Sequence, residues 1–197
     1  SNWQELMSNL PHTPMYWIDI QEHFNDLVIG TYGRGIWILD DISPLQQLNQ
    51  DVTKKSAYLF DLKSSYRFQN VTSTLQMFPE ASSGQDPPKG ASINYWLNED
   101  KDVELFITNS NNDTVRTIAD KGKKGINRVW WDFMGEKSDP MIMRTKPQYA
   151  EWFSIGDERI RNIPSNISIM QPPGKYLVHL ESDGTKYSKE LIVRDLS

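Results

Sequence analysis

Runs of β-branched and aromatic residues, separated by glycine-rich or polar turns, recur along most of this sequence. Such runs are typical of short strands bounded by tight turns. At the start of the chain they predict strands over Tyr16–Ile20, Leu27–Thr31 and Ile36–Asp40. Between the second and third of these, Gly33 and Gly35 can take positive φ and close a hairpin. The repeated pattern predicts an all-β fold.

The same pattern returns in the second half of the chain. It predicts strands over residues 91–97, 102–108, 114–120, 126–133, 175–182 and 186–195. In the second of these strands, Val103, Leu105 and Ile107 alternate with more polar positions, as in a half-buried antiparallel strand. Asp183-Gly184 is a strong hairpin signal between the last two. Strands at this spacing predict a β-sandwich.

The turn-rich stretch between the two regions predicts a connector with one short helix. Ser43 suits an N-cap, Pro44 the first helical position and Gln46 the far end of a capping box, so we expect a helix over Pro44–Asn49. The predicted organisation is terminal strands over 1–41, a helical connector over 42–60, and a sandwich over 61–197 with an insertion at 136–172.

Composition excludes several classes of function. The net charge of −5 and the lack of a basic block predict no nucleic-acid surface. With no cysteine, the chain cannot form disulfides, thiolate metal sites or a cysteine nucleophile. No apolar run approaches the ~20 residues that span a bilayer, so we expect no membrane span.

The residues that could suggest a binding or catalytic site are better explained by structural roles in turns and at strand ends. Gly30, Gly33 and Gly35 have the wrong spacing for a dinucleotide loop and precede a strand. Asp40 and Asp41 are neighbours on a strand end, where side chains point to opposite faces, so they do not form a glycosidase pair.

The three histidines show no metal-ligand spacing, and His179 is expected to face the surface of its strand. Residues 109–120 imitate a calcium loop but lack its glycine and its glutamate. We therefore assign no catalytic, cofactor-binding or metal-binding residue and expect no cofactor.

Aromatic residues leave one binding hypothesis open. Trp96, Tyr149 and Trp152 are candidate glycan contacts, because aromatic rings can form a sugar-stacking platform. The alternative is that the aromatic residues pack cores, as they do more often. In a strand, one of the neighbours Trp130 and Trp131 must face the core.

The segment LVIGTYGRGIWILDDISPL, residues 27–45, resembles the closing segment of secreted BNR-repeat proteins. These are sortilin-like β-propellers of glycosyl-hydrolase type, common in bacteria. The positions that match the pattern are Gly30, Thr31, Gly33, Arg34, Gly35, Trp37, Asp40 and Asp41. The segments DPPKGASINYWL, GINRVWWDF, MRTKP and PPGKYLVHLESDG are similar to the immunoglobulin-like domain that follows such propellers. That domain type is related to one in the flagellar hook-capping protein.

The resemblance implies a partial terminal propeller blade followed by an immunoglobulin-like sandwich. It implies a non-catalytic structural or interaction module, located outside the cell or in the periplasm, whose partners are the remaining blades of its parent and a glycan or protein. The alternatives are a fragment of a glycoside hydrolase and a carbohydrate-binding accessory domain. The sequence holds no Asp-box, and no active-site residue of the family matches a position here.

Overall fold

The computed structural model describes residues 9–67, 88–139 and 166–195, together with the backbone of 142–143 and 159–160. The described chain is mostly strand, so the predicted all-β class is confirmed. It divides into two compact units, residues 1–51 (unit 1) and residues 52–197 (unit 2). No helix within the described ranges is long and apolar enough to cross a membrane.

Unit 1 contains a three-stranded antiparallel sheet in the order β1-β2-β3. Its strands are β1 (Met15–Gln21), β2 (Asp26–Thr31) and β3 (Ile36–Leu39), as the sequence predicts within one residue at each end. Gly33 and Gly35 have φ of 72° and 76°. The turn also receives two hydrogen bonds at Gly35 O, from the Thr31 amide and the Thr31 hydroxyl. The glycines therefore shape a hairpin.

The predicted helix exists, but its predicted capping box is wrong. Helix α1 (Ser43–Gln47) begins after Ile42, and no side chain caps it. Asn25 Nδ2 instead donates to Ser43 Oγ at 2.9 Å and to Gln46 Oε1 at 3.0 Å. Asn25 is distant in sequence, so local spacing could not reveal this competition. A second short helix, α2 (Gln50–Thr53), follows.

Unit 2 contains two main sheets. A three-stranded sheet has the order β4-β6-β9 and a five-stranded sheet the order β5-β13-β12-β7-β8. The strands are β4 (Ala57–Leu59), β5 (Ser65–Arg67), β6 (Ala91–Leu97), β7 (Lys101–Thr108), β8 (Thr114–Gly122), β9 (Gly125–Trp131), β12 (Gly174–Ser182) and β13 (Thr185–Asp195). All six strands predicted for this half are present. β5 was not predicted; it pairs with β13 in parallel.

The two sheets share one hydrophobic core. Val103, Leu105 and Ile107 of β7 are buried as their alternation predicts. Trp131 is fully buried and Trp130 half-buried, so one of the two tryptophans faces the core, as expected. Trp131 contacts the rings of Phe133 and Tyr176 edge-on, at centroid distances of 5.4 and 5.0 Å.

The predicted insertion at 136–172 begins and ends as a paired stem. The Gly135 amide donates to Ile169 O at 2.9 Å, and the Gln171 amide donates to Phe133 O at 2.7 Å. Within the insertion, β10 (Ile142–Met143) pairs antiparallel with β11 (Arg159–Ile160).

Candidate functional site

Of the three candidate glycan contacts, only Trp96 lies among the described residues. Tyr149 and Trp152 lie outside the described residues. Trp96 lies in β6 on the face away from the core, opposite Tyr58 of β4 and Ile126 of β9. Its indole N–H is buried and has no hydrogen-bond partner in the described part of the chain. A glycan contact at Trp96 stays a prediction.

Asp41, the second member of the acidic pair at the end of unit 1's sheet, is used in the backbone turn. Asp41 has φ of 52°, and its carboxylate accepts a hydrogen bond from the Ser43 amide at 3.2 Å. The Asp41 amide donates to the Asp26 carboxylate at 2.9 Å. These contacts fit the turn-and-cap interpretation of Asp41.

The segment that imitates a calcium loop forms a hairpin turn. Asn109 Oδ1 accepts hydrogen bonds from the amides of Asn111 and Asp113, both at 2.9 Å. Asp120, the twelfth position of the imitation, instead accepts the hydroxyl hydrogen of buried Tyr95. Burial, the first cause, and this carboxylate raise the pKa of Tyr95. The oxygens that a calcium ion would need therefore serve the turn and the link between sheets.

The strongest cluster of reactive groups surrounds His179, on the outer face of the five-stranded sheet. Its ring lies on the face away from the core, as expected, but neighbouring side chains cover it and leave His179 only 7% exposed. Its Nε2 lies 3.1 Å from Thr108 Oγ1, and its Nδ1 lies 2.7 Å from Ser188 Oγ. The ring also stacks on Phe106, with centroids 4.7 Å apart. Three strands, β7, β12 and β13, thus converge on one imidazole.

This cluster has part of the geometry of an activated serine. A catalytic serine needs a hydrogen-bonded base, a group that orients the base, and donors for a developing oxyanion. Ser188, His179 and Thr108 supply the first two features. The orienting group is a hydroxyl, however, and Ser188 lies within a strand that is paired along its length with β12. No turn directs neighbouring amides at a substrate there.

Electrostatics favour a neutral imidazole at this position. Burial lowers the pKa of His179, and the charge of Lys186 lowers it further. The ammonium group of Lys186 lies 4.5 Å from the centroid of the Phe106 ring on which His179 stacks. A neutral imidazole can donate to one hydroxyl and accept from the other, so the cluster links three strands without a buried charge.

A polar cleft of about 400 Å³ lies at the other end of this sheet, lined by Asp100, Lys101, Asp102, Lys121, Gly122 and Lys123. Lys101 is paired with Asp183, and the Asp100 carboxylate accepts the amide hydrogen of Lys124. Among the described residues, no three His, Asp or Glu side chains are grouped so as to hold a metal ion. Two of the cleft's charged side chains, Lys101 and Asp100, are therefore engaged with groups outside its lining.

The most unusual surface belongs to the sheet of unit 1, which is apolar on both faces. Cross-strand partners define a Trp17 face, made of Trp17, Asp19, Val28, Gly30, Ile36 and Ile38, and a Trp37 face, made of Ile18, Ile20, Leu27, Ile29, Trp37 and Leu39. On the Trp17 face, Trp17 is 70%, Ile36 73% and Ile38 60% exposed. On the Trp37 face, Ile18 is 64% and Ile20 43% exposed, whereas Ile29 is buried.

Two exposed apolar faces are not the pattern of a finished antiparallel sheet. Such a sheet normally alternates apolar and polar residues, with one face on a core and one in water. Contiguous exposed apolar patches mark interaction surfaces. The sequence carried this signal, since Ile36-Trp37-Ile38-Leu39 has no polar position. Comparisons with protein families, curated proteins and solved structures give no match.

Proposed function

We propose that this chain is a non-catalytic structural and interaction module that closes or braces a secreted β-propeller of the BNR-repeat, glycosyl-hydrolase type. Unit 1 supplies strands of a terminal blade, and unit 2 is the immunoglobulin-like domain that follows. The observation that carries the proposal is the sheet of unit 1, with apolar residues exposed on both faces.

Energetics favour a partner on each face of this sheet. Full burial of one large aliphatic or aromatic side chain is worth about 1.5–3 kcal/mol. Most of this burial free energy is unrealised for four side chains that are each at least 60% exposed: Trp17, Ile18, Ile36 and Ile38. A blade in a ring has neighbours on both faces, which would bury the Trp17 face and the Trp37 face together.

The two-layer arrangement of unit 2 supports the second half of the proposal. Two sheets enclose one core, and their long strands are antiparallel, with β5 as a parallel edge strand. Trp131 occupies the centre of this core and donates its indole N–H to Met134 O at 2.9 Å. Sandwiches of this type commonly serve as packing and binding domains beside other units.

The non-catalytic role is supported by how the reactive groups are used. Asp41 serves a turn, Asp120 accepts from Tyr95, and His179 links strands. Each of these three groups has a structural partner. Fold alone would not decide the matter, since one architecture hosts many functions.

The complete reading frame of the natural polypeptide tests the parent architecture. We expect several hundred residues upstream of Ser1 that carry repeated Asp-boxes, roughly the length that a multi-blade ring requires. A reading frame that begins near Ser1, or an upstream region without such repeats, would contradict the proposal.

Enzyme assays test the non-catalytic role separately. We expect no turnover when the chain is incubated with a panel of aryl glycosides or with p-nitrophenyl acetate. Turnover that is abolished by replacing one Asp or Glu would favour a glycoside hydrolase instead. Ester hydrolysis lost in Ser188→Ala and His179→Gln would favour the serine cluster.

A further inference from the structure

The backbone of β3 points half of its polar groups away from the sheet. The Thr31 amide donates to Gly35 O at 3.1 Å, which makes these residues a hydrogen-bonded pair. Such pairs alternate along an antiparallel ladder. The register pairs Trp37 with Ile29 and Ile38 with Val28. Ile36 and Ile38 therefore direct their N–H and C=O groups outward, along the free edge of β3.

The opposite edge of the sheet, along β1, is protected. The same alternation turns the backbone of Ile18 and Ile20 outward there. The Ile20 amide already donates to the Asp19 carboxylate at 2.9 Å, and a bulge interrupts the register between Met15 and Trp17. A carboxylate at an edge and a bulge both hinder the addition of another strand.

The edge of β3 carries no such protection. Its sequence, Ile36-Trp37-Ile38-Leu39, holds no proline, no charge and no bulge. Within the described residues, no strand pairs with this edge. An unpaired, uncharged edge with apolar side chains is a template for strand addition.

We infer that β3 accepts an added β-strand through the outward backbone groups of Ile36 and Ile38, and that this strand is apolar on both faces. The inference rests on the proposed role in a larger β-assembly and names the surface and chemistry of the partner. The partner strand is apolar on both sides because it extends the Trp17 face and the Trp37 face by one position each. A strand with alternating charges would leave one of these faces interrupted.

Amide hydrogen exchange with a strand-forming peptide tests this inference. The probe is a synthetic peptide with the sequence of residues 25–32, NDLVIGTY, which copies β2, the strand that β3 already recognises. At saturating peptide we expect exchange at Ile36 and Ile38 to slow by about tenfold or more, since a hydrogen-bonded amide must open before it exchanges. Exchange at Ile18 and Ile20 should not change. A scrambled peptide is the control.

Variants locate the contact independently. Ile38→Pro removes an outward amide that the β2 ladder does not use, and Ile38→Lys places a charge on the edge without altering the backbone. Both should abolish peptide binding. Ile20→Pro is the matched control on the protected edge and should keep it. The amide exchange pattern of unit 1 without peptide shows whether each variant is folded. If Ile38→Pro does not fold, the wild-type experiment and Ile38→Lys still test the inference.

The results separate this inference from the proposed function. Slowed exchange at Ile36 and Ile38 that is lost in Ile38→Lys supports strand addition, whatever the parent reading frame contains. Unchanged exchange at both residues, or slowing at Ile18 and Ile20 instead, overturns it. If the parent polypeptide held no propeller repeats, the proposed function would be wrong, but strand addition at the edge of β3 would still be supported.

Discussion

Gly90 sits in a backbone conformation, with φ of 123°, that other residues rarely adopt. A Cβ at this position would lie 2.0 Å from Trp131 O. Gly125 has a similar φ of 110°, yet a Cβ there would meet nothing within 4 Å. A substitution at Gly125 therefore introduces backbone strain alone, whereas one at Gly90 introduces backbone strain and a steric clash.

We expect Gly90→Ala to destabilise unit 2 more than Gly125→Ala does. Both changes cost about 1–3 kcal/mol of backbone strain. Gly90→Ala adds overpacking against a main-chain oxygen, worth a further ~1–3 kcal/mol. Urea unfolding followed by tryptophan fluorescence measures the difference. Equal losses in the two variants would mean that the strands shift to accommodate the methyl group at no cost.

His179 should make the stability of unit 2 depend on pH. Its pKa in the folded protein is lowered by burial and then by Lys186, so the unfolded chain binds the proton more readily. Its contribution is therefore present above the ordinary pKa of about 6.5 and is lost as the pH falls below that value. The charge of Lys186 disfavours the imidazolium form of His179. On the same outer face of β7 and β12, the acidic residues nearest to His179 in register are Glu104 and Glu181.

The measurement is the free energy of unfolding between pH 7 and about pH 5.5, above the range in which most carboxylates titrate. The wild-type protein should lose stability across this interval. His179→Gln, which cannot titrate, should lose less. Identical slopes in the two proteins would show that the imidazole is free to protonate in the folded state.

Part of this cluster could be derived from sequence. The Asp183-Gly184 turn fixes the register of its hairpin, and that register pairs His179 with Ser188. Thr108 could not be found in this way, because β7 and β12 are neighbours in the sheet but far apart in sequence. The same limit explains the failed capping box, where Asn25 competes for Ser43 and Gln46.

At the scale of elements, strand edges are the feature that most distinguishes the two units. In unit 2, the edge strand β8 is covered by the start of the inserted segment. The Glu136 amide donates to Val115 O at 2.8 Å, and the Glu136 carboxylate accepts the Thr117 amide hydrogen. Arg116 adds a contact to Gly135 O at 3.3 Å. Covering an edge in this way prevents unwanted pairing.

We expect Glu136→Ala to uncover this edge. Loss of one exposed charge-assisted hydrogen bond should cost about 0.5–1.5 kcal/mol and speed amide exchange at Thr117. Lys137→Ala, at the next position, is the matched control and should leave Thr117 unchanged. If Thr117 exchanges at the same rate in Glu136→Ala, the carboxylate does not protect this edge.

Most strands were predictable because alternation and turn residues mark them. β7, β12 and β13 alternate clearly, and their turns carry glycine or asparagine. β5 was missed because a three-residue strand has too few positions to show a period. Its existence depends on pairing with β13 rather than on its own sequence.

At the scale of the whole molecule, unit 2 builds a large buried core, whereas the sheet of unit 1 leaves several large apolar side chains exposed. Unit 2 encloses its core between two sheets, from Ala57 to Val193. Unit 1 leaves Trp17, Ile36 and Ile38 largely in solvent. Its sequence predicted the strands but not which faces would be covered, because covering depends on elements outside the sheet. The central claim is that the sheet of unit 1 is built to be completed by further β-structure.

Hydroxyl-radical footprinting of the isolated chain and of the complete natural polypeptide tests that claim most directly. Trp17, Ile36 and Ile38 should be labelled strongly in the isolated chain, where each is at least 60% exposed. In the complete polypeptide they should be protected, while exposed side chains of unit 2, such as Lys175, react equally in both. Equal labelling of Trp17, Ile36 and Ile38 in the two samples would contradict the account.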